Sequence, residues 1–271
     1  MSISKIDSGK VIVPDGELYF EKQGEGKPLI LIHAGFSDRR DWTHQISDFG
    51  KQYNTIVYDQ RGSGYSTVIK AGFSPADDLK AIMDHLHIEK TTLVGHSIGG
   101  TIALDFALQY PTKISALILV ASGLNGYSWS KEYIEFMNAL WSVPQPDDMT
   151  KQFLSAPFYA VGMSEPAIQL DIETITKENF QKVLTWESFD IRDVHWHFPE
   201  SISKLKEINV PTLVIYGDQD SEDIKQIARL LSQNSRNVKT ALIKNTDHLL
   251  NFEKPHELNQ LILDFLGEIS E

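Results

Sequence analysis

The 271-residue sequence contains no cysteine, which excludes disulfides, thiolate metal sites and cysteine nucleophiles. It is also poor in positive charge. Only 25 Lys and Arg stand against 37 Asp and Glu, and the resulting net charge of −12 repels a phosphate backbone, so nucleic acid is not an expected partner. Long hydrophobic runs are missing. The longest, 116–121, falls far short of the ~20 apolar residues a membrane-spanning helix needs. Residues 1–10 alternate polar and apolar without the hydrophobic block of a secretory signal, so the expected location is cytoplasmic. Repeats and low-complexity tracts are lacking as well. What is present is 41% apolar side chains interrupted by 17 Gly and 11 Pro, enough for one large core or a core domain carrying an insertion.

Hydrophobic periodicity divides the chain into short β-branched runs and helical stretches. Segments 10–14 and 18–21 read as an opening hairpin. Segments 29–33, 55–58, 92–95 and 114–121 are almost continuously apolar, as a strand buried on both faces requires. Helices are expected over 41–49, 75–85 and 98–110. In the second of these, Leu79, Ile82, Met83 and Leu86 form one stripe, with Ser74 as cap and Pro75 in the first turn. The rhythm returns as a strand at 211–217, a helix at 223–231, a strand at 240–244 and a helix at 255–266. Between 124 and 205 it disappears and aromatic residues accumulate. The expected organisation is a βα core domain made of 1–123 and 206–271, with a mainly helical cap formed by 124–205.

At the end of the strand 92–95 stands Gly95-His96-Ser97-Ile98-Gly99-Gly100, and a helical pattern starts at once. Gly-x-Ser-x-Gly in this setting describes a sharp turn that presents a serine at the sheet edge, with glycines where side chains would collide. A serine hydroxyl needs a base to take its proton, and that base needs a carboxylate to orient it. Both types occur after later strands, in Gly217-Asp218-Gln219-Asp220 and in Asn245-Thr246-Asp247-His248-Leu249. Asp247 reads as a solvated turn residue, and His33 and His96 as hydrogen-bonding turn residues. His195 and His197 form His-x-His without a third ligand at suitable spacing, so no metal is expected, and no cofactor either. Arg61 and its neighbouring glycines shape a tight loop.

Four segments together resemble the α/β-hydrolase superfamily: Leu29-Ile30-Leu31-Ile32-His33-Ala34-Gly35 with Trp42 following, Asp59-Gln60-Arg61-Gly62-Ser63-Gly64-Tyr65-Ser66, the turn around Ser97, and the two loops bearing acid and histidine. The resemblance covers essentially the whole chain. It implies an α/β fold with a mostly parallel eight-stranded sheet flanked by helices, plus a helical cap insertion. It also implies that Ser97 is nucleophile, His248 base and Asp220, the later aspartate of its loop, the orienting acid. Some relatives place the acid one strand earlier, but 122–126 offers no carboxylate. Ala34 stands where glycine is usual, which leaves Gly35 to supply one oxyanion-hole N–H beside that of Ile98.

The implied chemistry is hydrolysis of a small to medium, largely apolar ester or lactone through an acyl-enzyme, by a monomer or homodimer. Phe36, Trp129, Tyr133, Trp141, Phe158 and Trp186 are the expected pocket lining. A cofactor-free haloperoxidase shares the same triad. Carbon–carbon bond hydrolases share it too, but typically carry a Ser-Gly-Pro-Gly-type oxyanion loop that this chain lacks. A hydrolase-like small-molecule sensor or signalling protein is the alternative from another class.

Overall fold

Apolar runs too continuous for a one-sided strand end up covered on both faces. A computed structural model describes residues 5–70, 72–187, 194–235 and 237–269. Its sheet has eight strands: β1 (Asp7–Val13), β2 (Gly16–Gln23), β3 (Pro28–Ile32), β4 (Asn54–Tyr58), β5 (Thr91–His96), β6 (Ile114–Val120), β7 (Thr212–Gly217) and β8 (Val238–Ile243). Their order across the sheet is β1-β2-β4-β3-β5-β6-β7-β8. The opening hairpin pairs antiparallel with β4, and every later pairing is parallel. Leu29 to Ile32 and Leu117 to Val120 have no exposed surface at all. Each such side chain stabilises the fold by about 1.5–3 kcal/mol relative to exposure.

Parallel pairing brings the carboxyl ends of β3, β5, β6, β7 and β8 to one edge, where an open α/β sheet places its ligands. The helix Pro75–His85 has the expected bounds. The Ser74 hydroxyl caps it, accepting the Asp77 N–H at 3.2 Å. Helices Ile98–Gln109, Glu222–Asn234 and Pro255–Glu268 complete the layers.

The helix expected over 41–49 is not there. In its place are a single 3-10 turn, Arg39–Trp42, and a one-turn helix, Ile46–Phe49. The apolar spacing of Trp42, Ile46 and Phe49 is satisfied without a continuous helix because side chains hold the backbone instead. Asp38 accepts the Arg40 N–H at 3.0 Å, and the Gln45 amide donates to the Asn251 carbonyl and to Asn259, both at 3.1 Å.

Between β6 and β7 lie three longer helices, Lys131–Trp141, Pro146–Leu154 and Pro166–Val183, with short turns among them. They gather a second apolar cluster that includes Leu140, Met149, Phe153, Tyr159, Ile172 and Phe180. Leu249 and Phe252, from the segment after β8, complete it. Polar ties fix this layer to the sheet. Asp223 accepts the Tyr127 and Ser130 hydroxyls at 3.0 and 2.6 Å, and the Val161 N–H donates to Asp247 at 2.6 Å. Among the described residues, no helix is long and apolar enough to cross a membrane.

Candidate active site

Ser97 sits at the junction of β5 and the helix Ile98–Gln109 with φ 54° and ψ −117°, a conformation that costs a non-glycine residue about 1–3 kcal/mol. Hydrogen bonds on both sides pay that cost: its N–H donates to the Val120 carbonyl at 3.0 Å, and its carbonyl accepts the Gly123 and Gly100 N–H groups at 2.9 Å. The flanking glycines have a steric origin. A Cβ on Gly95 would stand 2.3 Å from the Gly99 oxygen, and one on Gly99 would stand 2.2 Å from the Ile32 oxygen. The helix therefore begins hard against two strands, with the serine at its positive end.

Asp220 and His248 meet across the ends of β7 and β8. The His248 Nδ1 lies 3.0 Å from Asp220 Oδ2 and 3.3 Å from Oδ1, and both side chains are buried. A carboxylate on Nδ1 fixes the tautomer that leaves Nε2 free to accept a proton. Asp218 does something else: its Oδ1 accepts the Asn245 N–H at 2.7 Å and so braces the loop before the histidine. The His248 N–H donates to the Phe158 carbonyl at 3.1 Å, and the rings of Phe158 and Tyr159 stand edge-on to the imidazole at 5.8 and 5.7 Å.

The expectation that Asp247 is solvated is wrong. Its side chain is fully buried, accepting the Val161 N–H at 2.6 Å and the Leu249 N–H at 3.2 Å. Glu253 accepts the Asp247 N–H at 2.9 Å, and burial, reinforced by the Asp247 carboxylate, pushes the Glu253 carboxyl up to about 9. His33 locks the loop after β3. Its Nε2 accepts the Gln60 N–H at 2.9 Å, so the proton rests on Nδ1, which donates to the Ala34 carbonyl at 2.7 Å.

Ser97, Ile98, Gly35 and His248 all line one cavity of about 500 Å³, within the roughly 300–1,000 Å³ typical of small-molecule sites. Ile98 is the first residue of its helix, so its N–H has no acceptor within that helix. Phe36, Trp129, Tyr133, Trp141, Phe158 and Trp186 all border the same space. Phe36 stacks on Phe180 with centroids 4.7 Å apart, and Tyr133 stacks on Trp129 at 4.3 Å.

Sequence reasoning missed Phe153, Tyr159, Met137 and Val183 as lining, along with the polar pair Arg61 and Asp78. Arg61 donates to both carboxylate oxygens of Asp78 at 2.7 and 3.0 Å and to the Pro14 carbonyl at 2.8 Å. An arginine followed by an aspartate 17 residues later, at a helix N-terminus, was the one available signal. His195 and His197 are held through their backbone N–H groups, and no three His, Asp or Glu side chains converge as a metal set among the described residues.

Comparison with known proteins agrees with this architecture. The model of the alpha/beta hydrolase fold matches residues 27–156. A 2-hydroxy-6-oxononadienedioate/2-hydroxy-6-oxononatrienedioate hydrolase of Paraburkholderia phymatum is 29% identical, covering 93% of this chain and 91% of that one. A 2-hydroxy-6-oxo-6-phenylhexa-2,4-dienoate hydrolase of Comamonas testosteroni is 26% identical with the same coverage. The solved structure of a thermophilic esterase from Thermogutta terrifontis superposes with a TM-score of 0.80 at 25% identity, over 97% of this chain and 99% of the other. With its order of strands, its turn at Ser97 and these relatives, the chain belongs to the α/β-hydrolase superfamily.

Proposed function

We propose that the protein is a serine hydrolase of neutral, small to medium, largely apolar carboxylic esters or lactones. The observation that carries this reading is the Asp220–His248 contact at 3.0 Å on the cavity that Ser97 enters from its strained turn. In the proposed reaction, Ser97 Oγ attacks the carbonyl while His248 Nε2 takes its proton, and Asp220 stabilises the resulting imidazolium. The N–H groups of Gly35 and Ile98 receive the oxyanion. Collapse expels the alcohol, protonated by His248, and water releases the acyl group by the same route in reverse. The layer formed by 124–205 acts as the cap that selects the substrate, while the core of 1–123 and 206–271 supplies the reaction.

Carbon–carbon bond hydrolysis is the second reading, favoured by the names of the relatives from Paraburkholderia phymatum and Comamonas testosteroni. Charge in the cavity argues for the ester. Apart from the imidazoles of His33 and His248, the ionisable acid and base side chains among its described lining residues other than tyrosine are Arg61 and Asp78, which face each other in a bidentate pair. A dienoate or dioate substrate brings carboxylates that call for a cation of their own.

Initial rates on p-nitrophenyl butyrate, a neutral γ-lactone and 2-hydroxy-6-oxo-6-phenylhexa-2,4-dienoate separate the readings. The proposal expects kcat/KM to be higher for the ester or lactone, and its loss in Ser97→Ala. Preferential cleavage of the dienoate overturns it.

A further inference from the structure

The proposed mechanism uses one histidine–aspartate pair, and the molecule contains a second, more deeply buried one. His96 and Asp41 are 0% and 2% exposed, and His96 Nδ1 lies 2.8 Å from Asp41 Oδ2. Each partner reaches a different loop. The Asp41 Oδ2 also accepts the Ala34 N–H at 3.0 Å, immediately before Gly35. The Asn251 amide donates to the Asp41 backbone carbonyl at 2.6 Å and to its Oδ1 at 3.2 Å. His96 is the residue before Ser97, and its Nε2 lies 2.9 Å from the His248 carbonyl. A carbonyl only accepts, so Nε2 carries a proton and donates it.

Burial by itself would lower the His96 pKa, but the Asp41 carboxylate and the His248 carbonyl outweigh it and raise it. Burial would likewise raise Asp41, but His96 and the Ala34 N–H hold it low. Both ring nitrogens of His96 thus face acceptors, Asp41 Oδ2 and the His248 carbonyl, and Asp220 and the His248 ring are the other titratable groups facing it.

We infer that His96 and Asp41 are a positioning pair that clamps the three loops bearing Gly35, Ser97 and His248 into one register. The inference rests on the triad reading above. Neither side chain is among those lining the cavity, so the pair acts through the backbone it holds and not on substrate. Replacing Asp41 by Asn preserves volume and leaves an oxygen for the Ala34 N–H, but it removes the charge that keeps His96 doubly protonated. A singly protonated ring has one N–H for two acceptors, so either the bond to residue 41 or the bond to the His248 carbonyl is lost and the clamp opens on one side. A misplacement of 1 Å in such a site costs about 10²-fold in rate, while substrate binding on the cap side is untouched.

The experiment measures kcat, KM and thermal midpoint on p-nitrophenyl butyrate for wild type, Asp41→Asn, His96→Gln and the double variant, with Ser97→Ala and Asp220→Asn in parallel. Expected are a kcat lower by roughly 10- to 100-fold with KM within about threefold of wild type, and a double variant no worse than the lower single, because the two residues act as one unit. Should His96→Gln not fold, Asp41→Asn alone decides. Asp41→Asn with wild-type kcat, or losses in the double variant equal to the product of the singles, overturns the inference. If Ser97→Ala and Asp220→Asn retain activity, the triad reading has failed instead.

Discussion

Gly99→Ala replaces a hydrogen by a methyl group where the fold has no room for it. The new Cβ would stand 2.2 Å from the Ile32 oxygen, 2.7 Å from its carbon and 2.8 Å from the His33 oxygen. All three are backbone atoms, so no side chain can rotate away. Relief requires the helix Ile98–Gln109 to move off β3 by about 1 Å, a strain of the overpacking kind that costs roughly 1–3 kcal/mol. At about 2–4 °C per kcal/mol, the thermal midpoint should fall by roughly 2–12 °C. The same displacement separates Ser97 and Ile98 from Gly35, so kcat/KM on p-nitrophenyl butyrate should fall by about 10²-fold. Gly267→Ala is the control, since nothing lies within 4 Å of its added carbon and it sits in the helix Pro255–Glu268. That variant should keep full activity and gain a little stability. If Gly99→Ala has wild-type activity and midpoint, the packing argument for the Gly-x-Ser-x-Gly turn is wrong.

Asp220→Asn should lower kcat by about 10⁴-fold through loss of the correct imidazole tautomer, whereas Asp218→Asn, which keeps a side-chain oxygen for the Asn245 N–H, should change it little; steady-state kinetics of both variants checks this. Trp141 borders Phe36, and Trp186 packs beside Gly62 and Ile69, so alanine at either should alter the preference between a short and a longer acyl ester by roughly 1–3 kcal/mol in ΔΔG‡, read from kcat/KM ratios. Glu253 is held protonated to about pH 9 in the fold but ionises near ~4.3 in the unfolded chain. The folded state thus binds the extra proton between those values, and stability falls as pH rises through that window. Glu253→Gln should match wild type near pH 5 and exceed it in denaturant midpoint at pH 8–9.

The parts of the fold legible in the sequence were those in which one residue type answers a local demand. Strands buried on both faces had to be almost continuously apolar, as Leu29–Ile32 of β3 and Ala116–Val120 of β6 are. Gly95 had to be glycine because of the Gly99 and Gly100 backbone a fixed few residues on. The rest depended on partners remote in the chain. Asp247 looked like a solvated turn because the N–H it accepts belongs to Val161, 86 residues earlier. The segment 41–49 carried helical spacing, yet Gln45 is held by Asn251 and Asn259, more than 200 residues on. Phe153 and Tyr159 could not be assigned to the cavity because spacing does not say which face of a helical layer meets another layer. Arg61 read as a loop former, and its pairing with Asp78 on the cavity wall emerged only in three dimensions.

Covalent trapping tests the central claim, that Ser97 is the activated nucleophile of this cavity, most directly. The protein is incubated with an alkyl p-nitrophenyl phosphonate of medium chain length, and intact-mass and peptide mass spectrometry follow the adduct alongside residual esterase activity. The account predicts a single adduct on Ser97, formed in step with complete loss of activity and absent from Ser97→Ala and His248→Ala. Activity that survives full labelling of Ser97, or inactivation through an adduct on another residue, would contradict it.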